Sequence, residues 1–397
     1  MQQQGGTTNG KHALIVGCGI AGPVLAMYLR RAGITSAVYE GWPEPRDEVG
    51  AFMGLAPNGI DVLNTLGVKD AALAGGLPTT RILFQNHRGK VLGHNPETIV
   101  TIRRGVLTRA LREAAIERGI SVQFGKRLAE LEVTPGQRVV ARFEDGTEAR
   151  GDLLLGCDGI HSCTRRIILP DAPAPAYTGV IDNGAVTPNA TLPPSGGVMR
   201  MMFGLRGFFG YQVAPSGEIY WFENFQQAEE PDREALDAVP HGEWRQKLLA
   251  LHRGDHAPIA EIIRVTESPI GRFPIYDMPS LPTWHKGPIC LIGDAAHATS
   301  PHVGQGASLA MEDAIVLAKC LRDVPATEAA FATFERLRRD RVEAIVKAAR
   351  RTGNQKAPTN AVTRWFRDLV LPLFLKMGVK SAQQVHAYRV DWDERVV

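Results

Sequence analysis

The sequence predicts an α/β fold in which an inserted antiparallel β-sheet interrupts the α/β part and helices end the chain. Near the start, a glycine-rich turn lies between an apolar strand and an apolar helix, over residues 13–31. The same strand–turn–helix pattern returns at 288–321. Between these stretches, alternating segments at 197–225 are typical of an antiparallel sheet. An inserted region of this kind creates a cleft, where small ligands bind.

The first turn has the pattern of a dinucleotide-binding site. Gly17, Gly19 and Gly22 stand in the spacing G-x-G-x-x-G. The first glycine allows a tight turn, the second lets a pyrophosphate approach the backbone, and the third lets the helix pack on the strand. The N-terminus of that helix offers N–H groups to phosphate. Glu40 ends the next short strand, where an acid binds ribose hydroxyls and would repel a 2′-phosphate, so the site favours NAD or FAD over NADP.

The composition bounds the class of protein. The chain has 397 residues, 44% of them apolar, which allows a large core and two or three domains. A net charge of +3 without a long Lys/Arg run argues against nucleic acid as a partner. The five cysteines form no C-x-x-C pair, so we expect reduced cysteines, no metal site and a cytoplasmic protein. No apolar run is long enough to predict a membrane span.

Local patterns predict the remaining elements. Apolar residues three and four apart predict helices, and short apolar runs bounded by turn residues predict strands. In the first half they predict a helix from about Asn58, strands at 81–85 and 91–93, a helix at 104–118, a strand at 121–124, and a hairpin of strands at 139–143 and 148–155. In the second half they predict strands at 197–203, 207–213, 218–225, 261–267 and 288–292, and helices at 232–251, 306–321, 327–351 and 362–377, the last interrupted by Pro372.

These elements divide the chain into four parts. Residues 1–10 are predicted to be a disordered lead-in, and residues 354–397 a C-terminal helical tail. The nucleotide-binding domain is discontinuous, and the β-rich domain that would hold the substrate is inserted into it. The predicted ranges are 11–75, 100–172 and 283–353 for the first domain, and 76–99 and 173–282 for the second.

Two further turns follow predicted strands. Asp158 and Gly159 come after a buried strand, where the acid could orient the local backbone; an ordinary Asp-Gly turn remains the alternative. Asp294 follows Gly293 at the end of another strand, and Gly304 and Gly306 then open the next helix. These glycines could bring backbone N–H groups against a polar ring edge. For the nearby His297 and His302, polar packing is favoured over catalysis because no partnered nucleophile is visible.

Together these motifs resemble the class A, single-component FAD-dependent aromatic monooxygenases, the para-hydroxybenzoate-hydroxylase-like family. The family's Arg-x-x-Leu-x-x-x-Leu pattern matches Arg104, Leu107 and Leu111, and all the matches follow in order across 11–313. Cys157 stands where the family more often has alanine. The resemblance implies a Rossmann-like FAD-binding domain of the GR2 type with an inserted antiparallel β-sheet substrate domain and C-terminal helices.

The resemblance also implies an activity. NAD(P)H, with NADPH favoured, would reduce FAD, and O₂ would then give a flavin C4a-hydroperoxide that hydroxylates an aromatic or polycyclic small molecule. A dry pocket would prevent wasteful release of hydrogen peroxide. A flavin oxidase or dehydrogenase on the same scaffold and a non-catalytic protein that sequesters a flavin or drug remain alternatives. A halogenase is disfavoured because its W-x-W-x-I-P motif is not found.

The resemblance assigns no certain catalytic side chain, since flavin drives the chemistry. The residues implied to bind the cofactor are Gly17, Gly19, Ala21, Gly22, Glu40, Arg104, Asp158, Asp294, Pro301, Gly304, Gln305 and Gly306, with Pro301, Gly304 and Gly306 at the flavin face. Alternation allows only some of the aromatic and sulfur-bearing residues of the inserted sheet to face a substrate. The candidates are Met201, Phe203, Phe209, Tyr211, Tyr220, Trp221 and Phe222. We expect a monomer or homodimer, with a tail that packs on the protein unless it covers the cleft, contacts a second copy or touches a membrane.

Overall fold

The protein is described by a computed structural model over residues 10–48, 52–136, 138–188, 191–354 and 361–396. Residues 1–9 of the predicted lead-in lie outside the described residues. Within these ranges no helix combines the length and apolar character that crossing a membrane requires.

The strands run in chain order as β1 His12–Val16, β2 Thr35–Tyr39, β3 Phe52–Leu55, β4 Leu77–Asn86, β5 Val91–Arg103, β6 Ser121–Gln123, β7 Leu128–Val133, β8 Val139–Phe143, β9 Glu148–Gly151, β10 Leu153–Gly156, β11 Ala176–Thr187, β12 Val198–Phe203, β13 Gly207–Val213, β14 Ile219–Gln226, β15 Gly271–Asp277, β16 His285–Lys286 and β17 Ile289–Leu291. The helices are α1 Ala21–Arg31, α2 Pro57–Thr65, α3 Lys69–Ala72, α4 Arg104–Glu117, α5 Cys163–Ile168, α6 Arg233–Ala238, α7 His241–Leu251, α8 Ile259–Val265, α9 Asp294–His297, α10 Gly306–Asp323, α11 Thr327–Asn354 and α12 Ala361–His386, with a 3₁₀ turn at Pro301–Val303.

The first sheet is almost entirely parallel. Its six strands stand in the order β16-β17-β10-β1-β2-β6, and only β16 runs antiparallel to its neighbour. The central strands β1, β10 and β17 are buried and carry Val, Ile and Leu with little alternation, as expected for a sheet covered on both faces. Helix α1 packs against β2 and against α10, so the largest core lies around this sheet.

The second sheet has eight strands in the order β15-β11-β14-β13-β12-β4-β5-β3. Its pairs are antiparallel except for β12 and β4. One face packs against α6, α7 and α8 through Trp221, Phe225, Trp244 and Leu248. Strand β5 runs directly into α4, so the two sheets are joined at the residue pair Arg103 and Arg104.

Several predicted elements differ from the structure. The prediction of a strand at 261–267 is wrong, because helix α8 occupies Ile259–Val265. Ile259, Ile262 and Ile263 are spaced for one helix face and are buried against the sheet, which stabilises the helix by about 2 kcal/mol for each side chain. The short β-branched run had favoured a strand locally, and tertiary packing overrides it.

Other differences concern where elements begin and end. The strand predicted at 148–155 is two strands in different sheets, because Asp152 between them turns its carboxylate to the His12 N–H, 2.7 Å away. The helix predicted at 232–251 breaks at Pro240 into α6 and α7. Helix α12 continues through Pro372, whereas the sequence predicted an interruption there. Strands β3, β7, β11, β15 and β16 were not predicted.

Candidate cofactor site and substrate face

Three glycine-bearing turns lie at one edge of the parallel sheet. Strands β17, β10 and β1 are parallel neighbours, so their carboxyl ends meet at the same edge. Gly17 follows β1, Asp158 follows β10 and Gly293 follows β17 by two residues. This edge is where ligands bind in open α/β sheets.

The glycines of the first turn occupy different surroundings. Gly17 has a φ of +106°, and a Cβ atom there would lie 2.4 Å from the Cys157 carbonyl oxygen. A Cβ at Gly22 would lie 2.0 Å from the Gly17 oxygen, so α1 can approach the turn only with glycine. A Cβ at Gly19 would meet no described atom within 4 Å. The first and third glycines are therefore required by packing, whereas the second borders open space.

Glu40 lies beside this turn, and its carboxylate accepts hydrogen bonds from the backbone. Its Oε2 accepts a hydrogen bond of 2.8 Å from the Cys18 N–H, and its Oε1 accepts one of 3.0 Å from the Trp42 N–H. The carboxylate is half-buried. The acid that the sequence singled out therefore stands next to the glycine-rich turn and has lone pairs left for further donors.

The second turn is held by Asp158. Its Oδ1 accepts a hydrogen bond of 2.6 Å from the Ser162 hydroxyl, and its Oδ2 accepts two of 2.9 Å from the N–H and hydroxyl of Thr164. Asp158 therefore does orient the local backbone, while Arg165 donates to the Ala295 carbonyl, 2.9 Å away. Asp158 thus orders its own turn, and Arg165 ties this turn to the third one.

The third turn places a carboxyl group at this edge of the sheet. Gly293 has a φ of +58°, and the Asp294 side chain that follows it is exposed. Desolvation by the surrounding protein nevertheless raises the pKa of the Asp294 carboxyl, while His297 and Arg104 oppose that rise. Arg104, the first residue of α4, is exposed and near enough to act on Asp294.

The loop before α10 and the first turn of α10 carry buried polar atoms without partners. Gly304 ends the 3₁₀ turn that Pro301 begins and has a left-handed φ of +61°. Gly306 then begins α10. Among the described residues, the buried Gln305 Nε2, Ser300 Oγ and Ser308 Oγ have no hydrogen-bond partner. Water or a ligand that reaches these atoms would recover the free energy that orphaned buried donors and acceptors cost.

A buried charge network supports the third turn, and sequence reasoning missed it. Asp313 Oδ2 accepts a hydrogen bond of 2.9 Å from the Gly293 N–H and lies 2.6 Å from His297 Nε2. Asp313 Oδ1 accepts one of 2.8 Å from Arg338, which also pairs with Glu312 at 2.7 Å. Burial raises the pKa of Asp313, but His297 and Arg338 more than offset this and hold it below its usual value. His297 is thus part of the packing, as the sequence favoured. The available signal was the adjacent pair of acids, Glu312 and Asp313, within an otherwise apolar stretch of the 306–321 helix.

The pleat of the second sheet separates the candidate substrate liners. Phe209, Tyr211 and Trp221 pack in the core against the helices on one face. Met201, Phe203 and Phe222 lie on the opposite face, in a small cluster with Leu92, Phe208 and Leu371. Neighbouring residues of a strand face opposite ways. Phe209 and Tyr211 therefore face the helices, and Met201, Phe203 and Phe222 face the other side of the sheet.

Phe52 and Tyr220 complete this second face. The Phe52 ring lies 5.5 Å from the Tyr220 ring and 6.3 Å from the Phe222 ring, edge-on to both. Phe52 belongs to β3, which pairs with β5 at the joint between the two sheets. Sequence reasoning missed Phe52 because its strand has four residues and no alternation.

Comparison with known proteins identifies a family. A family described as FAD binding domain matches residues 11–349. The aurachin C monooxygenase/isomerase of Stigmatella aurantiaca is 32% identical over 376 residues, which cover 91% of this chain and 94% of that enzyme. The 3-amino-4-hydroxybenzoate 2-monooxygenase of Streptomyces cremeus is 31% identical and covers 86% of each chain.

Solved structures show the same architecture. Klebsiella pneumoniae HpxO complexed with FAD and uric acid aligns with a TM-score of 0.83 at 26% identity, over 96% of this chain and 97% of that one. The FAD-dependent urate hydroxylase of the same organism is 30% identical over 90% of this chain and 94% of that enzyme. The match extends over both sheets.

Proposed function

Because this chain belongs to the FAD binding domain family and is an FAD-dependent aromatic monooxygenase of the class A type, we propose that it uses NAD(P)H and O₂ to hydroxylate an aromatic or polycyclic small molecule. The predicted fold class and FAD cofactor are confirmed by the same relatives. The observation that carries the proposal is the meeting of three distant turns at one edge of the parallel sheet.

The residues at this edge fit FAD. The open space at Gly19 suits a pyrophosphate, and the half-buried Glu40 suits the adenosine ribose. Arg104 would balance the charge of the pyrophosphate, and Asp294 would accept hydrogen bonds from the ribityl chain. The flavin face would lie against Pro301 and the Gly304–Gly306 loop, which directly precedes α10.

Bound FAD supplies hydride acceptance and the activation of O₂. The chain supplies binding, orientation and a dry site. The N-terminus of α10, at Gly306, carries unpaired N–H groups and the positive end of an 18-residue helix dipole. It would stabilise negative charge at the edge of the bound ring system, and no side-chain base is required for that.

The substrate would lie between this edge and the second sheet. Met201, Phe203, Tyr220 and Phe222 on the sheet face, with Phe52 at the joint, offer flat apolar contacts. Such contacts suit an aromatic ring and keep water away from the reacting atoms. Phe209 and Tyr211 would support the sheet from behind.

The test is to titrate FAD-loaded protein with a panel of aromatic and polycyclic compounds while following NAD(P)H oxidation. We expect at least one compound to accelerate oxidation and to be recovered one oxygen atom heavier. Asp294→Ala, which leaves no carboxylate for the ribityl chain, should hold much less FAD and lose the same activity. His256→Gln, at an exposed histidine in the substrate sheet's surroundings, is the matched control and should behave as the parent protein.

The other predicted activities are distinguishable outcomes. Oxidation of NAD(P)H that yields only hydrogen peroxide with every compound would indicate an oxidase. Tight binding of a compound with no turnover would indicate a sequestering protein. Either result would contradict hydroxylation, and full flavin content in Asp294→Ala would contradict the role given to that carboxyl.

A further inference from the structure

An ion pair joins two strands that are not neighbours in the second sheet. Arg103, the last residue of β5, donates a hydrogen bond of 2.7 Å to a carboxylate oxygen of Glu218, which directly precedes β14. Strands β4, β12 and β13 lie between β5 and β14 in the sheet order. In a flat sheet these four steps would separate the two strands by about 19 Å, at about 4.8 Å for each step. The sheet therefore curls, and the ion pair crosses its concave face.

Arg103 points to the face that carries the candidate substrate liners. It stands directly opposite Phe52 in the register of β3 and β5, and opposite residues of an antiparallel pair lie on one side of the sheet. The Phe52 ring lies 5.5 Å from the Tyr220 ring, and the Arg103 guanidinium carbon lies 5.9 Å from the centre of the same ring. A hydrogen bond to the Tyr220 phenol and the charge of Glu218 raise the pKa of Arg103.

The ion pair is exposed, so Arg103 can exchange its partner. The Arg103 side chain is 46% exposed and the Glu218 side chain 36% exposed. Exposed ion pairs contribute little to stability, because water solvates each partner when the pair opens. A guanidinium group has five N–H donors and can hold a carboxylate through two parallel hydrogen bonds. An incoming carboxylate could therefore replace Glu218 at little cost.

The next residue has a different task. Arg104 begins α4 and acts on Asp294 at the edge proposed for FAD. Arg103 instead lies with Phe52 and Tyr220 on the concave face of the second sheet. Two consecutive arginines at the joint between the sheets thus face the two proposed ligands.

We propose that Arg103 binds a carboxylate group of the substrate, and that Glu218 holds Arg103 until this carboxylate replaces it. The substrate class is then an aromatic acid, with its ring on Phe52, Tyr220 and Phe222. This inference rests on the proposed hydroxylation and names its substrate class. Arg103 selects the substrate and needs no contact with the reacting atoms. Glu218 repels the same carboxylate, so the two residues act on binding in opposite directions.

Titration of FAD-loaded protein with aromatic acids, without NAD(P)H, tests the assignment. The probes are naphthoate, quinoline carboxylate and anthracene carboxylate, each compared with its primary amide, and the change in flavin absorbance reports binding. We expect acids to bind more tightly than their amides, and salt to weaken this preference. Arg103→Gln should weaken acid binding about tenfold or more. Glu218→Gln should strengthen it about twofold to fivefold, and neither variant should alter amide binding.

A matched control exists on another sheet. Arg142 of β8 is 43% exposed and pairs with Glu132 of β7 at 2.8 Å, so its surroundings resemble those of Arg103. Arg142→Gln should bind acids and amides as the parent protein does. Opposite effects of Arg103→Gln and Glu218→Gln would support the exchange, because simple loss of a structural ion pair would change binding in the same direction in both variants.

Three outcomes would overturn the assignment. One is that no acid of the panel binds more tightly than its amide, and another is that Arg103→Gln weakens acids and amides equally. The third is that Arg103→Gln loses FAD while Glu218→Gln gains affinity for it, which would assign Arg103 to the cofactor. Acid-selective binding that depends on Arg103 but yields no oxygenated product would support the binding role and contradict hydroxylation, so failure of either claim is recognisable.

Discussion

At the scale of single residues, Gly17 and Gly19 are needed for different physical reasons. Gly17 has a left-handed φ and no room for a Cβ, since the Cys157 oxygen would be 2.4 Å away. Gly19 borders open space, so a side chain there is compatible with the fold but would fill the volume proposed for the pyrophosphate. One glycine serves stability and the other serves binding.

We therefore predict that Gly19→Val keeps the thermal unfolding midpoint of the flavin-free protein and loses FAD. Gly17→Ala should lower that midpoint, because strain in this backbone region and the clash together cost about 1–3 kcal/mol or more. Flavin absorbance per protein and calorimetry of the flavin-free forms measure the two effects. A Gly19→Val protein that retains full FAD would refute the pyrophosphate assignment.

Residues of the turns could be predicted because their requirements are local. A tight turn, a close helix approach and an acid after the second strand leave a pattern in Gly17, Gly22 and Glu40. Asp313 and Arg338 left no such pattern, because their ion pair joins two helices and only the fold brings them together. The roles proposed for Arg104 and Asp294 stay predictions until FAD binding is measured.

At the scale of elements, alternation predicted that only some sheet residues would face a substrate, but not which ones. The choice depends on which face the helices α6, α7 and α8 cover, and α8 itself was predicted as a strand. Two residues of one strand, Phe208 and Phe209, enter different clusters for this reason. Local sequence therefore specifies the period of a strand, and packing specifies its orientation.

A buried charged cluster links α7 to β14. His252, at the end of α7, lies 2.8 Å from an Asp255 carboxylate oxygen and 3.5 Å from Glu223, and the side chains of all three have no exposure. Burial lowers the pKa of His252, but hydrogen bonds and charges from Asp255 and Glu223 outweigh it and raise the pKa to about 9. A neutral histidine here would leave Asp255 and Glu223 without the cation that they share, and only the charge of Lys247 would still act on Glu223.

This cluster predicts a pH dependence of stability. The pKa of an unfolded histidine is about 6.5, so the contribution of His252 is complete below that pH and is lost as the pH rises towards 9. The free energy of unfolding from urea titrations should fall over this window by up to about 3 kcal/mol. His252→Gln should be less stable and should lack the slope, whereas His256→Gln, at an exposed histidine, should keep it. An unchanged slope in His252→Gln would contradict the charged state.

At the scale of the whole molecule, two sheets are built from interleaved parts of the chain. Strands β3, β4 and β5 belong to the second sheet but lie between segments of the first. The sequence predicted this discontinuity, because the strand–turn–helix pattern stops and later returns. It did not predict that β5 would extend to Arg103 and lead directly into α4, because Gly93, Asn95 and Pro96 within this strand are residues that favour turns. The division into domains stays a prediction, and the joint between the sheets is where the proposed substrate would lie.

Packing of side chains at the joint between the two sheets should decide how much hydroxylated product forms for each NAD(P)H oxidised. Phe52 meets Tyr220 and Phe222 edge-on and is the contact from β3 to the sheet face. Phe52→Ala would open a cavity at the joint and admit water, while the three cofactor turns stay intact. We predict normal FAD content, a several-fold lower yield of hydroxylated product per NAD(P)H, and a matching rise in hydrogen peroxide. Phe209→Leu, on the opposite face of the sheet, should leave that yield unchanged. If both variants lose yield equally, general loosening of the sheet, and not closure at the joint, controls the reaction.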